Sequence, residues 1–92
     1  MNEIEFLDTI LRKQGYEVNK RNRQELLTES ETVYEQIENN SDHYVDTCYV
    51  VELEGRYIEF SDGRAKDDSP YEFYWSSVRF VEKVTKTVIV YE

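Results

Sequence analysis

From Gln24 to Gly55 the chain carries nine carboxylates and no lysine or arginine. They are Glu25, Glu29, Glu31, Glu35, Glu38, Asp42, Asp46, Glu52 and Glu54. A one-signed stretch repels itself when compacted, so any fold must turn these acids outward. The apolar residues between them (Leu26, Val33, Ile37, Val45, Tyr49, Val51) are spaced well enough to bury. The tract therefore belongs to a rigid frame that displays its charge. Eight Tyr, four Phe and one Trp, with one Pro and three Gly, separate the chain from acidic disordered tails, which are poor in aromatics.

At 92 residues the chain reads as a single globular domain, 1–92, with a modest core. Its net charge of −9 opposes direct binding to nucleic acid or anionic lipid, both of which call for a basic face. It favours a basic protein partner, or serves solubility alone. The asymmetry belongs to the middle of the chain, since residues 25–78 hold fourteen acids against three bases. One cysteine, Cys48, excludes an internal disulfide and suits a reducing compartment. With no leader-like N-terminus and no long apolar run, the expected location is the cytoplasm, the host's if the chain is phage-encoded.

Residues 3–14 read as an amphipathic helix with Ile4, Leu7, Ile10 and Leu11 on one face. Asn2 suits the N-cap, Arg12 and Lys13 suit the C-terminal end, and Gly15 stands where a left-handed residue is expected. Residues 23–39 read as a second helix, with Asn22 as cap. Its apolar face carries Leu26, Leu27, Val33, Tyr34 and Ile37, and its back carries Glu31, Glu35, Glu38 and Asp42. A polar strand is the alternative there, because TESETVYEQIE also alternates.

From Tyr44 the period changes to two. Val45, Thr47, Tyr49, Val51 and Leu53 share one face of a strand over 44–53, and Tyr44, Asp46, Cys48, Val50 and Glu52 share the other. Glu54-Gly55 suits a tight hairpin turn into a second strand, 56–60, with Ile58 and Phe60 inward and Tyr57 and Glu59 outward. Residues 61–70 (SDGRAKDDSP) read as the longest loop. A third strand covers 71–81, bent at Ser76-Ser77, and a fourth covers 84–91, with Lys83 and Lys86 guarding an edge. The expected architecture is α+β: two N-terminal helices packed on a four-stranded antiparallel β-meander.

Catalytic machinery is not evident. His43 beside Asp42 could pair a base with its orienter, but no nucleophile motif accompanies it. Cys48 sits in a strand with no positive neighbour to activate it. Asp62, Asp67 and Asp68 could suggest calcium, yet their spacing departs from an EF-hand loop and Arg64 and Lys66 lie among them. No cofactor or metal is expected, and the chain is read as a non-enzyme.

The features that remain are the length, the basic-free run QELLTESETVYEQIENNSDHYVDTCYVVELEG, and a short helix followed by acidic, Tyr-rich strands. Together they resemble small acidic inhibitors of phages and mobile elements, including anti-CRISPR proteins and anti-restriction DNA mimics. The resemblance implies stoichiometric inhibition of a nucleic-acid-binding enzyme, and it carries over no residue roles. The expected partner-binding residues come from the charge pattern and the outward strand positions: Glu31, Glu35, Glu38, Asp42, Tyr44, Asp46, Glu52, Glu54, Tyr57 and Glu59, with Glu72 and Tyr74 among their neighbours. An immunity or antitoxin-like protein and a small structural or assembly subunit are the alternatives. A homodimer through the outward strand face is also open.

Overall fold

A computed structural model describes residues 1–66, 71–85 and 89–92, without the side chains of residues 84, 85, 89 and 90. Its contacts divide the chain into two compact units, Met1–Ser30 and Glu31–Glu92. The α+β class is as expected: two helices, then a four-stranded antiparallel sheet. No helix among the described residues is long and apolar enough to cross a membrane.

In the first unit, α1 spans Glu3–Lys13 and α2 spans Lys20–Thr28. Asn2 and Glu5 close a capping box at the start of α1, each side chain accepting from the other's backbone N–H. The helix ends at Gly15, whose φ of 81° lets Tyr16 N–H reach the Leu11 carbonyl at 2.9 Å and Gly15 N–H reach Arg12 at 3.1 Å. Phe6, Leu7, Ile10 and Leu11 are buried, while Ile4 is half-buried. Arg23 on α2 clamps Asp8 on α1 through two parallel bonds, Nε–Oδ1 at 2.6 Å and Nη2–Oδ2 at 3.1 Å. The guanidinium holds the Asp8 carboxyl below its ordinary range.

The second helix is shorter and earlier than the spacing suggests. Its cap is Asn19, accepting from Asn22 N–H at 2.7 Å, and Glu31–Asn40 forms strand β1 instead. The acids explain the change. On a helix Glu35 would stand about 5–6 Å from both Glu31 and Glu38. A strand rising about 3.4 Å per residue puts Glu31 and Glu35 roughly 14 Å apart, and here turns them to opposite faces. The polar-strand alternative is the correct one.

Strand β1 pairs with β2 (Tyr44–Leu53), β2 with β3 (Arg56–Ala65), and β3 with β4 (Glu72–Val81), all antiparallel. The β2–β3 hairpin is regular from Tyr44↔Ala65 to Leu53↔Arg56. Glu54 and Gly55, with φ of 47° and 79°, make the turn in which both central residues are left-handed, matching the twist of the strands. β3 runs on to Ala65, so Ser61–Ala65 is strand where the breaker residues suggest a loop. Asp67, Asp68 and the rest of 67–70 lie outside the described residues.

β4 bends where Ser76-Ser77 suggest. Between the pairs Ser61↔Tyr74 and Glu59↔Arg79, Phe60 faces the whole of 75–78. Ser77 Oγ bridges the gap in the ladder, accepting from Ser61 N–H at 2.8 Å and donating to the Tyr74 carbonyl at 2.5 Å.

The expected fourth strand, 84–91, is not part of this sheet among the described residues, and β1 supplies the fourth strand instead. Lys83–Thr85 (β5) and Ile89–Tyr91 (β6) pair with each other, and Glu82 and Glu92 exchange backbone bonds beyond them. Lys83 lies in β5, and Lys86 falls outside the described residues.

Strand alternation divides the main sheet into two faces. The apolar face holds Val51, Ile58 and Phe60, all at most 2% exposed, and a run of ring contacts from Tyr49 through Phe60 and Phe73 to Trp75. The other face carries most of the sheet's polar residues, with Val50 and Val81 buried among them.

Candidate protein-binding face

The pairing register sets the polar face out in rows across β1, β2, β3 and β4. One row is Glu31, Glu52, Tyr57 and Val81; the next is Tyr34, Val50, Glu59 and Arg79. A third is Gln36, Cys48, Ser61 and Tyr74, and a fourth is Asn39, Asp46, Gly63 and Glu72. Glu38 is the extra residue of a β-bulge between the last two rows and reaches Ser61 on this face. Neighbouring strands stand about 4.7–4.9 Å apart, so Glu31, Glu38, Asp46, Glu52, Glu59 and Glu72 share this face, whose rows hold one cation, Arg79, among the described residues.

Three of these carboxylates are held in place. Asp46 accepts from Tyr74 Oη at 2.8 Å and from Asn39 Nδ2 at 3.4 Å. Tyr74 reaches it by lying across Gly63, where a Cβ would meet the phenol oxygen at 2.5 Å and Asp46 Oδ1 at 3.0 Å. Glycine is required here for close approach. The bond to Asp46 pushes the Tyr74 phenol up to about 12. Glu38 Oε1 accepts from Ser61 Oγ at 2.9 Å. Glu59 meets Arg79 in a two-point pair, both bonds 3.1 Å.

Neutral donors fix Asp46 and Glu38 without cancelling their charge. Among the described residues, Glu31, Glu52 and Glu72 have no cationic partner. Glu31 directly faces Glu52, an arrangement that costs stability on its own account.

Seven of the ten expected residues thus share one face: Glu31, Glu38, Tyr44, Asp46, Glu52, Tyr57 and Glu59. Glu35 does not, since it pairs with Tyr49 on the opposite face. Asp42 lies in the turn after β1, and Glu54 sits in the β2–β3 turn. The supposed helix back of Glu31, Glu35, Glu38 and Asp42 does not exist. Tyr57 is half-buried, with Tyr91 of β6 at 5.4 Å, and Tyr91 also meets Tyr34 at 5.8 Å. Ser61, Gly63 and Arg79 were not expected at this site. The usable signal was Gly63 among alternating residues, which marks a close approach in a strand.

The residues weighed for catalysis are placed differently. His43 is exposed in the β1–β2 turn, where its carbonyl accepts from Lys66 N–H at 2.8 Å. Burial, together with the charges of Glu59 and Glu38, pushes the Cys48 thiol up to about 11, away from the thiolate a nucleophile needs. Asp62 is a fully buried strand residue that accepts from Tyr71 Oη at 2.9 Å, with Arg64 Nε 3.5 Å away. Burial first, then that bond, raises the Tyr71 phenol.

Among the described residues, no three His, Cys, Asp or Glu side chains gather as a metal site. A hollow of about 150 Å³ in the helical unit, beside Leu11, Tyr16, Asn22 and Leu26, is small against the usual ligand pocket. A wider depression of about 630 Å³ lies at the turn end of the sheet between Arg56, Tyr57, Phe80 and Lys83.

Comparison with protein-family models, curated protein sequences and solved structures found no match to this chain in any of the three.

Proposed function

We propose that the chain is a non-catalytic inhibitor that sets the polar face of its sheet against a basic protein, one whose lysines and arginines otherwise hold nucleic acid. One observation carries this reading: six carboxylates, Glu31, Glu38, Asp46, Glu52, Glu59 and Glu72, share a face whose rows, among the described residues, hold one cation, Arg79. Duplex DNA offers a phosphate every 3.4 Å along each strand. Carboxylates spread over four adjacent strands, some fixed by Tyr74 and Ser61 and two, Glu31 and Glu52, directly opposed, present repeated negative charge on one sheet. Steering by such a face speeds encounter with a basic groove and weakens as salt rises. The mode of action is occupancy, as in anti-CRISPR or anti-restriction DNA mimics, and the expected stoichiometry is fixed.

The test is capture from the source cell's lysate, with duplex DNA as competitor. The expected result is a nucleic-acid-binding protein retained at low salt and released by duplex DNA. Retention of a partner that duplex DNA fails to displace would contradict mimicry.

A further inference from the structure

Strand β1 is an edge. Among the described residues it pairs on one side only, with β2, and every residue from Glu31 to Asn40 is exposed except half-buried Val33. Its bulges, at Val33 and Glu38, leave Tyr34–Ile37 as an uninterrupted stretch of regular pairing. Bulges and short windows are how sheets discourage unplanned pairing, so an edge of this kind suits a short partner strand only. The window is not bland. Ile37 is 59% exposed, on the apolar face opposite Thr47, and Tyr34 is 38% exposed on the polar face. Glu35 stands beside Ile37 on the first face, and Glu31 and Glu38 bracket the window.

We propose that this edge accepts an extended basic segment of a partner protein as an added antiparallel or parallel strand. Main-chain bonds to Tyr34–Ile37 would supply affinity, and alternate side chains would supply choice. On the apolar face the segment needs an aliphatic residue against Ile37 and a lysine or arginine against Glu35. On the other face an apolar residue meets Tyr34. Charge decides against a second copy of this chain: β1 carries Glu31, Glu35 and Glu38 and no cation, so two such strands would repel. The edge shares Tyr34, Glu31 and Glu38 with the polar face but binds through the main chain of β1, whereas the polar face binds through side chains. Either can hold if the other fails.

The experiment titrates an isotope-labelled sample of the whole chain with a short peptide alternating lysine with valine and threonine. A second peptide of equal charge carries proline in place of each valine. The expected result is that backbone amide signals of Tyr34–Ile37 shift and gain protection with the first peptide only, because proline cannot complete a ladder. Ile37→Lys should weaken the first peptide by about tenfold, while Glu17→Gln, exposed in the helical unit, leaves it unchanged. Equal shifts from both peptides, or shifts confined to Asp46, Cys48 and Ser61, would overturn the proposal.

Discussion

The two faces of the sheet are built from the same four strands, yet they treat a carboxylate in opposite ways. On the apolar face Asp62 is fully buried, bonded to Tyr71 and close to Arg64, among the rings of Tyr49, Phe60 and Phe73. On the polar face Asp46 and Glu38 stay at the surface, held by the hydroxyls of Tyr74 and Ser61. A hydroxyl donor orients a carboxylate and leaves its charge unspent; a buried acid must find compensation inside the fold. One face therefore stabilises and the other displays.

Substitutions should separate these roles. The largest loss is expected at Phe60→Ala, which removes the ring between Tyr49 and Phe73: about 3–5 kcal/mol by urea unfolding. Next, Tyr71→Phe removes the hydroxyl donor of buried Asp62 and should cost about 1–3 kcal/mol in the same measurement. Gly63→Ala comes third, at about 1 kcal/mol, since the new Cβ displaces the Tyr74 phenol from Asp46. If Gly63→Ala proved as damaging as Phe60→Ala, the division between the faces would fail.

The last effects are in titration. Because the folded Tyr74 value is raised to about 12, above the ordinary value near 10, its stabilisation is complete below about pH 10. It is lost as pH climbs from there to about 12. Absorbance titration should show Tyr49, Tyr71 and Tyr74 all ionising late, and Gly63→Ala or Asp46→Asn should bring Tyr74 alone back toward 10. Likewise, alkylation of Cys48 should accelerate only as pH approaches about 11, and Glu59→Gln should move that rise downward.

Much of this contrast was legible in the order of residues. The switch to period two at Tyr44 places Tyr49 and Val51 on one face and Asp46 and Glu52 on the other, and β2 obeys it throughout. Glu54-Gly55 marks its turn, and Asn2 and Gly15 mark the ends of α1. Two stretches misled for physical reasons. Glu31–Asn40 fits a helix and a strand alike by its apolar spacing, and repulsion among its acids, with pairing to β2, decides between them. Ser61–Ala65 carries the local chemistry of a loop, but pairing on both sides overrides it, and Gly63 serves the crossing of Tyr74 instead of a turn. Neither outcome can be read from the segment alone, since each depends on pairing with the strand before or after it.

The most direct test of the account is binding by the polar face. The variant Glu31→Gln/Glu52→Gln/Glu72→Gln removes the polar-face acids that have neither a cationic partner nor a side-chain donor among the described residues. Glu17→Gln, exposed in the helical unit, is the control. Against the captured basic partner, the account predicts that the triple variant loses at least about tenfold in affinity at low salt, through slower association, while the control binds as the unaltered chain does. Unchanged binding by the triple variant, or an equal loss in Glu17→Gln, would contradict it.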